Sequence, residues 1–353
     1  MKVALVLGAG GMVGLAYHAG ALRALEQEGG FDPAGADLII GTSAGSVIGA
    51  YLRSGWTTTD FWELALGMHP ILNSLERLGG LGEAASGEAA VGVEVAPPPT
   101  ASRPSGPFPS ELREIPRVLA PAFHTPLDLA RRFLGSAYVM TRSVVRFPVP
   151  ALPGFLGHAF PAGLFSMGQG RQRMAAELPD RWPEAPLWLC AVDIVSGERI
   201  AVGSRGAPSM SLADAVAASC AIPGVYPPVR LGRRVLVDGG AHSTTNLDLA
   251  LQTECDLIVC LAPMAFDRHD PPDPLGQIVR RIPTRALAIE SRLARRRGVP
   301  VLSLRPSGAE IRRHGLRMMR RDGLDAVARA AYESAARAVT SAPFRQALGS
   351  LAA

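Results

Sequence analysis

A serine in a glycine-flanked pentapeptide is the first feature of the sequence that suits chemistry. Residues 41–45 read Gly-Thr-Ser-Ala-Gly, which is the G-x-S-x-G spacing of a nucleophile on a sharp strand-to-helix turn. At such a turn the glycines, here Gly41 and Gly45, relieve crowding, and the serine hydroxyl is pushed into the open. The N–H of the following residue can then face a developing oxyanion. Ser43 is therefore the candidate nucleophile for acyl transfer.

A serine hydroxyl is a poor nucleophile at its own pKa and needs a base. None of the seven histidines follows the strand-end pattern of a triad histidine, so we interpret them as surface or locally hydrogen-bonded residues. Asp238 is the stronger candidate, because the apolar run Val-Leu-Val delivers it to the end of a strand and Gly239 and Gly240 let the chain turn away. If that strand belongs to a parallel sheet, its carboxyl end lies on the ligand-binding edge. Asp-Gly is also a common turn signal, which is the alternative for this position.

A glycine-rich segment provides the third element. Residues 8–14 read Gly-Ala-Gly-Gly-Met-Val-Gly and lie between the first predicted strand and the first predicted helix. Glycines there let the backbone approach a ligand and aim N–H groups, backed by the positive helix end, at a negative charge. By itself the segment fits a pyrophosphate site, an oxyanion site or a tight turn.

The elements that must position these residues alternate between strand and helix. An apolar run at Val3–Leu7, an amphipathic pattern over 15–28, a strand at 37–40 and a helix through residue 53 give βαβα, which predicts a mostly parallel sheet covered by helices. The same criteria predict strands at 187–192, 199–202, 235–237, 257–261 and 300–304, and helices at 126–145, 211–220, 278–296 and 324–339.

Together these motifs resemble the patatin-like phospholipases. The loop at 10–14, the elbow at 41–45 and the Asp-Gly-Gly at 238–240 occur in that family's order, the stretch 218–228 is similar to the family's approach to its aspartate, and Asn246 also fits. The resemblance covers about residues 3–65 and 187–261. It implies a three-layer helix/sheet/helix α/β fold, and a Ser43–Asp238 dyad that cleaves acyl esters of lipids. It also implies an oxyanion hole formed by the N–H groups of Gly10, Gly11 and Met12, with Gly14 supporting the loop.

Two positions depart from the family's Gly-Gly-Gly-x-Arg/Lys-Gly loop. Ala9 replaces the first glycine, and Val13 replaces the usual cation. An oxyanion held by backbone N–H groups survives both changes, whereas charge assistance from the side chain at position 13 is lost. The sequence therefore predicts an activity that is weaker or differently tuned.

The rest of the chain suggests additions to one hydrolase domain over residues 1–266. Residues 79–110 are rich in Gly, Pro, Ala and Ser without periodicity, which predicts a disordered or mobile loop. Residues 111–170 combine apolar residues with arginines, and we interpret them as a cap over the acyl pocket that touches anionic membrane, or equally as helices packed on the sheet. Residues 267–353 form a predicted C-terminal extension packed on the same domain.

Composition sets the outer limits. The 353 residues are 48% hydrophobic and 19% charged, which provides a sizeable core and excludes wholesale disorder, collagen and a disulfide-stapled miniprotein. The formal charge of +5 is diffuse and suits phospholipid headgroups at least as well as nucleic acid. No apolar run reaches the roughly 18 residues of a membrane span and no secretory signal is evident, so we expect a cytoplasmic protein with peripheral membrane contact. The four cysteines lack C-x-x-C spacing and suggest buried reduced thiols, and we expect no metal and no cofactor.

Two other functions share some of these sequence features. Gly8, Gly11 and Gly14 are also spaced like the loop of short-chain dehydrogenase/reductases, but those enzymes need a Tyr-x-x-x-Lys pair, and the only lysine, Lys2, precedes the loop. A non-catalytic lipid or protein binder is favoured by Val13 and the long insertion and opposed by the presence of both dyad residues. The arginine-rich stretches at 295–297 and 312–321 suggest solvated helix faces rather than a nucleic-acid site. The sequence assigns no oligomeric state.

Overall fold

The computed structural model describes residues 1–69, 125–144 and 162–349. In these ranges eight strands form one sheet. The strands are β1 (Val3–Leu7), β2 (Leu38–Gly41), β3 (Leu187–Asp193), β4 (Arg199–Val202), β5 (Val229–Leu231), β6 (Arg234–Asp238), β7 (Leu257–Leu261) and β8 (Val301–Leu304). The helices are α1 (Gly11–Gln27), α2 (Ala44–Arg53), α3 (Thr58–Ala65), α4 (Pro126–Val144), α5 (Gly168–Glu177), α6 (Leu212–Ser219), α7 (Pro274–Arg296), α8 (Gly308–His314), α9 (Leu324–Val339) and α10 (Ala342–Gly349).

The sheet is mixed and mostly parallel. Its order is β5-β6-β3-β2-β1-β7-β8, with β4 also paired to β3. Every neighbouring pair from β3 through β8 in that order is parallel, whereas β4, β5 and β6 run antiparallel to their partners. The predicted α/β class, a mostly parallel sheet flanked by helices, is confirmed. The premise that Asp238 ends a parallel strand is wrong, because β6 is antiparallel to β3.

Both faces of the sheet are covered, and the central strand shows why. Val3, Leu5 and Leu7 of β1 pack into a core with α1, α2, α6 and α9, while the alternate residues Ala4 and Val6 pack with α7 and the short 3-10 helix Leu247–Gln252. Because successive side chains of a strand point to opposite faces, a strand buried on both faces must be apolar throughout. The run Val-Ala-Leu-Val-Leu meets that requirement.

Helix α1 begins four residues earlier than predicted and is buried rather than amphipathic. Its small residues permit close contact with α9: a β-carbon on Gly20 would lie 2.0 Å from the carbonyl oxygen of Ala328. The early start places Gly11 and Met12 in the first helical turn, so half of the predicted glycine loop is helix. The positive end of α1 therefore lies at the loop itself.

The C-terminal part of the chain joins the same sheet. Strand β8 pairs in parallel with β7, and α9 packs along α1. The predicted bounds of β4, β7 and α9 match the structure, whereas the short elements β5, α3, α5, α8 and α10 were not predicted.

The predicted cap is only partly described. Its helix is present as α4, one residue shorter than predicted. The predicted loop at 79–110 and residues 111–124 and 145–161 of the predicted cap lie outside the described residues. Of the helices that the structure describes, none combines the length and apolar character required to cross a bilayer.

Candidate active site

The elbow between β2 and α2 has the geometry that its two glycines predict. Ser43 links the strand to the helix with φ 54°, in the left-handed region that few non-glycine residues adopt. A β-carbon on Gly41 would lie 2.6 Å from the Cα of Ser46, and one on Gly45 would lie 2.0 Å from the carbonyl oxygen of Leu7. Only glycine fits at either position, because both contacts are with rigid backbone.

One long-range and one local hydrogen bond hold Ser43 in this conformation. Its N–H donates to the Oγ of Ser219, at the end of α6, over 3.0 Å. Its carbonyl accepts from the Oγ of Ser46 over 2.6 Å. Ser219 belongs to the stretch 218–228 that leads to Asp238, so this stretch also supports the nucleophile. Backbone strain of this kind persists only where the surroundings fix it, as they do here.

Asp238 lies at the end of β6 and is fixed on both sides. Its N–H donates to the carbonyl of Ala221 over 3.0 Å, and its Oδ1 accepts from the N–H of Gly240 over 2.7 Å. A β-carbon on Gly239 would lie 2.5 Å from the carbonyl oxygen of Cys190, so the turn after the aspartate packs directly on β3.

The structure brings Ser43 and Asp238 together, although 195 positions separate them in the sequence. The Ser43 hydroxyl lies close enough to the Asp238 carboxyl group to stabilise its charged form. Burial raises the pKa of Asp238 from 3.8 to about 6, against the opposing effects of the Gly240 N–H and the Ser43 hydroxyl.

Strand β3 explains how an antiparallel strand reaches this edge. Gly41, the last residue of β2, pairs with Leu189, whereas Asp238 pairs with Ala191 two residues further along β3. Because β3 extends beyond the end of β2, Asp238 at the carboxyl end of β6 lies next to the turn that carries Ser43. The position of the aspartate thus follows from register and not from strand direction.

Cys220 lies next to the elbow. Its thiol is 3.7 Å from the Oγ of Ser46, the residue whose hydroxyl donates to the Ser43 carbonyl. Burial raises its pKa to about 12, with the nearby Asp238 charge adding to the effect. Cys220 is therefore a neutral thiol and a weak nucleophile at physiological pH. All four cysteines are free, with Cys190 and Cys260 buried as predicted and Cys220 and Cys255 partly exposed.

The glycine loop adjoins both other motifs. A β-carbon on Gly14 would lie 3.3 Å from the Cβ of Ala44, and one on Gly240 would lie 3.7 Å from the Cβ of Ala9. The loop is held by the N–H of Gly14, which donates to the carbonyl of Gly10 over 2.7 Å.

The backbone N–H groups of this loop are available to bind an anion. Within the part of the chain that the structure describes, the N–H groups of Gly10, Gly11 and Met12 have no protein acceptor, whereas the N–H of Val13 donates to the carbonyl of Met318 over 3.0 Å. The three donors lie at the first turn of α1, where the helix dipole favours negative charge. The side chain of Val13 is 1% exposed and packs in the core.

Asn246 connects the elbow to the Asp-Gly-Gly turn. It adopts φ 52°, and its Nδ2 donates to the Oγ1 of Thr42, the carbonyl of Ser243 and the carbonyl of Gly239, over 3.1, 2.6 and 3.4 Å. Its Oδ1 accepts from Arg199 over 3.2 Å. A fully buried amide with these partners fixes the relative position of two segments that the sequence separates.

Two of the histidines that the structure describes, His18 and His314, are fully or almost fully buried. The Nε2 of His18 bonds the carbonyl of Gly8 at 2.8 Å, and burial lowers its pKa to about 4. His314, expected near the surface, is buried, and its pKa is lowered to about 3 by burial and by the neighbouring arginines, Arg280 foremost. Across the described ranges, no three side chains of the types His, Cys, Asp and Glu are grouped closely enough to hold a metal ion.

Comparison with known proteins confirms the resemblance seen in the sequence. The family model described as patatin-like phospholipase matches residues 5–66 and 189–251. The two matched segments contain the glycine loop, the elbow with Ser43, Asp238 and Asn246.

Solved structures of two bacterial proteins are similar to this chain at low identity. VipD from Legionella pneumophila is 14% identical with a TM-score of 0.43, over 96% of this chain and 66% of VipD. A structure of the heterodimeric ExoU-SpcU complex from the type III secretion system of Pseudomonas aeruginosa contains a chain that is 19% identical with a TM-score of 0.35, over 96% of this chain and 51% of that chain. This chain thus spans just under two thirds of the first protein and about half of the second.

Proposed function

We propose that this protein is a lipid acyl hydrolase that cleaves carboxylic esters through an acyl-enzyme on Ser43, with Asp238 as the base. The observation that carries the proposal is that the fold brings the Ser43 hydroxyl on its strained elbow next to the buried carboxyl group of Asp238. The N–H groups of Gly10, Gly11 and Met12, which have no acceptor among the described residues, and the match to the patatin-like phospholipase model support it.

In the first half-reaction the Oγ of Ser43 attacks the ester carbonyl carbon. Its proton passes directly to the neighbouring carboxylate of Asp238. The negative charge that develops on the carbonyl oxygen is accepted by the N–H groups of Gly10, Gly11 and Met12, and one such donor contributes about 2.7–4 kcal/mol to the transition state. Collapse of the tetrahedral intermediate breaks the ester C–O bond, and the leaving alcohol takes the proton from Asp238.

The second half-reaction repeats these steps with water. Asp238 accepts a proton from the attacking water, the same N–H groups hold the new oxyanion, and the Ser43 oxygen leaves with the proton that Asp238 returns. The free fatty acid is released and both residues regain their starting states. The dyad and water alone balance the protons and electrons of both halves.

The pKa of Asp238 suits this role better than an ordinary aspartate does. At about 6 the carboxylate is a stronger base than one with a pKa of 3.8, yet it remains mostly ionised at neutral pH. The raised pKa of Cys220 has a different consequence. It keeps the thiol protonated, so the thiol does not compete with Ser43 as a nucleophile.

The first test is covalent labelling with a fluorophosphonate probe, followed by hydrolysis of p-nitrophenyl esters and phospholipids of graded chain length. We expect labelling of the wild type on Ser43, none of Ser43→Ala, and a loss of kcat/KM on the order of 10³-fold or more in that variant. Ser54→Ala is the matched control, because its hydroxyl bonds the carbonyl of Ala50 at the far end of α2. A wild type that is folded but takes up no probe and cleaves no ester would refute the hydrolase and favour the non-catalytic binder.

A further inference from the structure

Helix α7 turns its polar side inward. The side chains that it buries include Arg280, Thr284, Glu290 and Ser291, and only Leu287 among the buried residues is a large aliphatic. An ordinary helix on the surface of a sheet shows the reverse arrangement.

The outward side of α7 is apolar. Ile278 and Ile282 are 70% and 80% exposed, and Ile289 is 55% exposed. The exposed aliphatic residues of the helix are Leu275, Ile278, Val279, Ile282, Ile289 and Leu293. Leu275, Val279, Ile282, Ala286, Ile289 and Leu293 follow one another in steps of four and three, and Ile278 lies four residues before Ile282, so all of them are on one side of the helix. We call the six exposed aliphatic residues and the exposed arginines of α7 the α7 face.

The charges on the α7 face are all positive. The exposed charged residues of α7 are Arg281, Arg285, Arg292, Arg295 and Arg296. The helix contains one acidic residue, Glu290, which is buried and accepts from the Oγ1 of Thr245 and the N–H of Leu247 over 2.7 and 2.9 Å.

The buried contacts prevent the helix from turning its apolar side inward. The guanidinium of Arg280 donates to the carbonyls of Pro263 and Ala265, and Glu290 accepts two hydrogen bonds within the core. A rotation of α7 would leave both charged groups without these partners, at a cost far above that of exposing aliphatic surface. The outward direction of the apolar side is therefore built into the fold.

Helix α7 packs near the candidate site through its buried side. The carbonyl of Pro263 accepts from the buried Arg280, and the Cβ of Pro263 lies 3.0 Å from the position of a β-carbon on Gly10. The N-terminal half of α7 is thus anchored beside the loop that contains Gly10, Gly11 and Met12, and the α7 face lies on the outward side of the same helix.

We propose that the α7 face docks the protein on an anionic phospholipid bilayer. Aliphatic side chains among several arginines, without an exposed acidic residue on the helix, match the interface of a membrane that carries negative headgroups. A second copy of the chain fits less well, because the pairing would bring two sets of five arginines together. The preference for a bilayer over an acidic protein rests on the proposed lipid hydrolase function.

Vesicle co-sedimentation tests the proposal. The vesicles are phosphatidylcholine alone or with phosphatidylserine, and the protein carries Ser43→Ala so that catalysis plays no part. We expect binding to the anionic vesicles that weakens at high salt, falls at least about tenfold in Ile278→Ser/Ile282→Ser, and falls about fivefold per arginine in Arg281→Gln and Arg285→Gln.

Matched controls replace residues away from α7. Val195→Ser removes an aliphatic side chain that is 43% exposed and Arg205→Gln removes an exposed arginine, and both variants should bind as the parent does. Thermal unfolding of every variant checks that the fold is intact.

Several results would overturn the assignment. They are no binding to anionic vesicles, equal binding to neutral ones, or equal binding by the α7 variants and the controls. A dimer in sedimentation that dissociates on Ile282→Ser would assign the face to a second copy. An Ile282→Cys variant that resists maleimide without lipid would show that the chain itself covers the face.

Failure of this proposal is separable from failure of the proposed function. With Ser43 restored, the α7 variants should cleave soluble p-nitrophenyl esters at the parental rate and lose activity only on vesicles. Hydrolysis without α7-dependent binding refutes the docking surface alone, whereas binding without hydrolysis refutes the enzyme alone.

Discussion

Replacing Asp238 by asparagine should separate stability from activity. Burial raises the pKa of this carboxyl group from 3.8 to about 6, which means that the native state disfavours its charge. The asparagine side chain in Asp238→Asn would be nearly isosteric and uncharged. Its carbonyl oxygen can still accept from the Gly240 N–H, and its amide group can donate to the oxygen of Ser43.

The magnitude follows from the two pKa values. Below about pH 4 the carboxyl group is protonated in the native and the unfolded state, and its burial carries no charge penalty. Between about pH 4 and 6 the unfolded state loses the proton while the native state keeps it, so the free energy of unfolding falls as the pH rises. Above about pH 6 the native state carries the full penalty, which amounts to about 3 kcal/mol.

Asp238→Asn should therefore unfold at the same urea concentration as the wild type near pH 4 and be more stable by up to about 3 kcal/mol at about pH 8. Its kcat/KM on esters should fall by about 10²–10⁴-fold, because the base is lost. Glu254→Gln is the control, since that side chain is 93% exposed and its pairing with Lys2 is a surface contact. A stability difference that does not change with pH, or an asparagine variant less stable than the wild type at alkaline pH, would refute the reasoning.

Further predictions concern the pH dependence and the residues around the dyad. For an ester without ionisable groups, kcat/KM should rise with pH and level off above about 6, and a profile that is flat from about pH 4 to 8 would exclude Asp238 as the base. Gly45→Ala should cost about 4 kcal/mol or more in urea unfolding, because the new β-carbon would overlap a carbonyl of β1, whereas Gly170→Ala, which meets nothing within 4 Å, should be neutral. Val13→Arg should yield less folded protein rather than more activity, since position 13 is 1% exposed, and a soluble variant with increased kcat would contradict this. Asn246→Ala should lower both thermal stability and kcat, with about 1–3 kcal/mol lost for each buried partner left unsatisfied, and an unchanged kcat would show that the amide does not position the dyad.

Ser43 and Asp238 could be predicted from the sequence because the turns that carry them require glycines at neighbouring positions. Gly41, Gly45 and Gly239 each face backbone at a distance that no β-carbon tolerates, and those contacts are what the glycine spacing reflects. The apolar run that ends in Asp238 likewise predicts a strand, even when the neighbouring strand in the sheet is not known. Such signals depend on a few adjacent residues, so they are readable one segment at a time.

The surroundings of the dyad depend on pairings that no segment encodes alone. The direction of β6 was not predictable, because an apolar run is the same for parallel and antiparallel neighbours. The supports from Ser219, Cys220 and Asn246 join residues up to 204 positions apart.

Helix α7 shows a different limit of sequence analysis. Its periodicity predicted a helix, but assigning arginines to solvent and aliphatic residues to the core would have placed the wrong side inward. The buried partners of Arg280 and Glu290 decide the orientation, and they lie on other elements.

A carboxylate that acts directly on a serine must satisfy two opposing demands. It must be desolvated to gain basicity, and it must remain ionised at neutral pH to accept a proton. Asp238 accepts one backbone N–H, from Gly240, and the neighbouring Ser43 hydroxyl also stabilises its charged form. A further donor would lower its pKa toward 3.8, and loss of the Gly240 donor would raise it beyond 6 and leave less of the base ionised. With a pKa of about 6 the group is about a hundredfold more basic than an ordinary aspartate, yet about nine tenths ionised at neutral pH. In the proposed mechanism the number of donors around Asp238, set by the Asp-Gly-Gly turn, therefore takes over the tuning that a histidine provides in a triad.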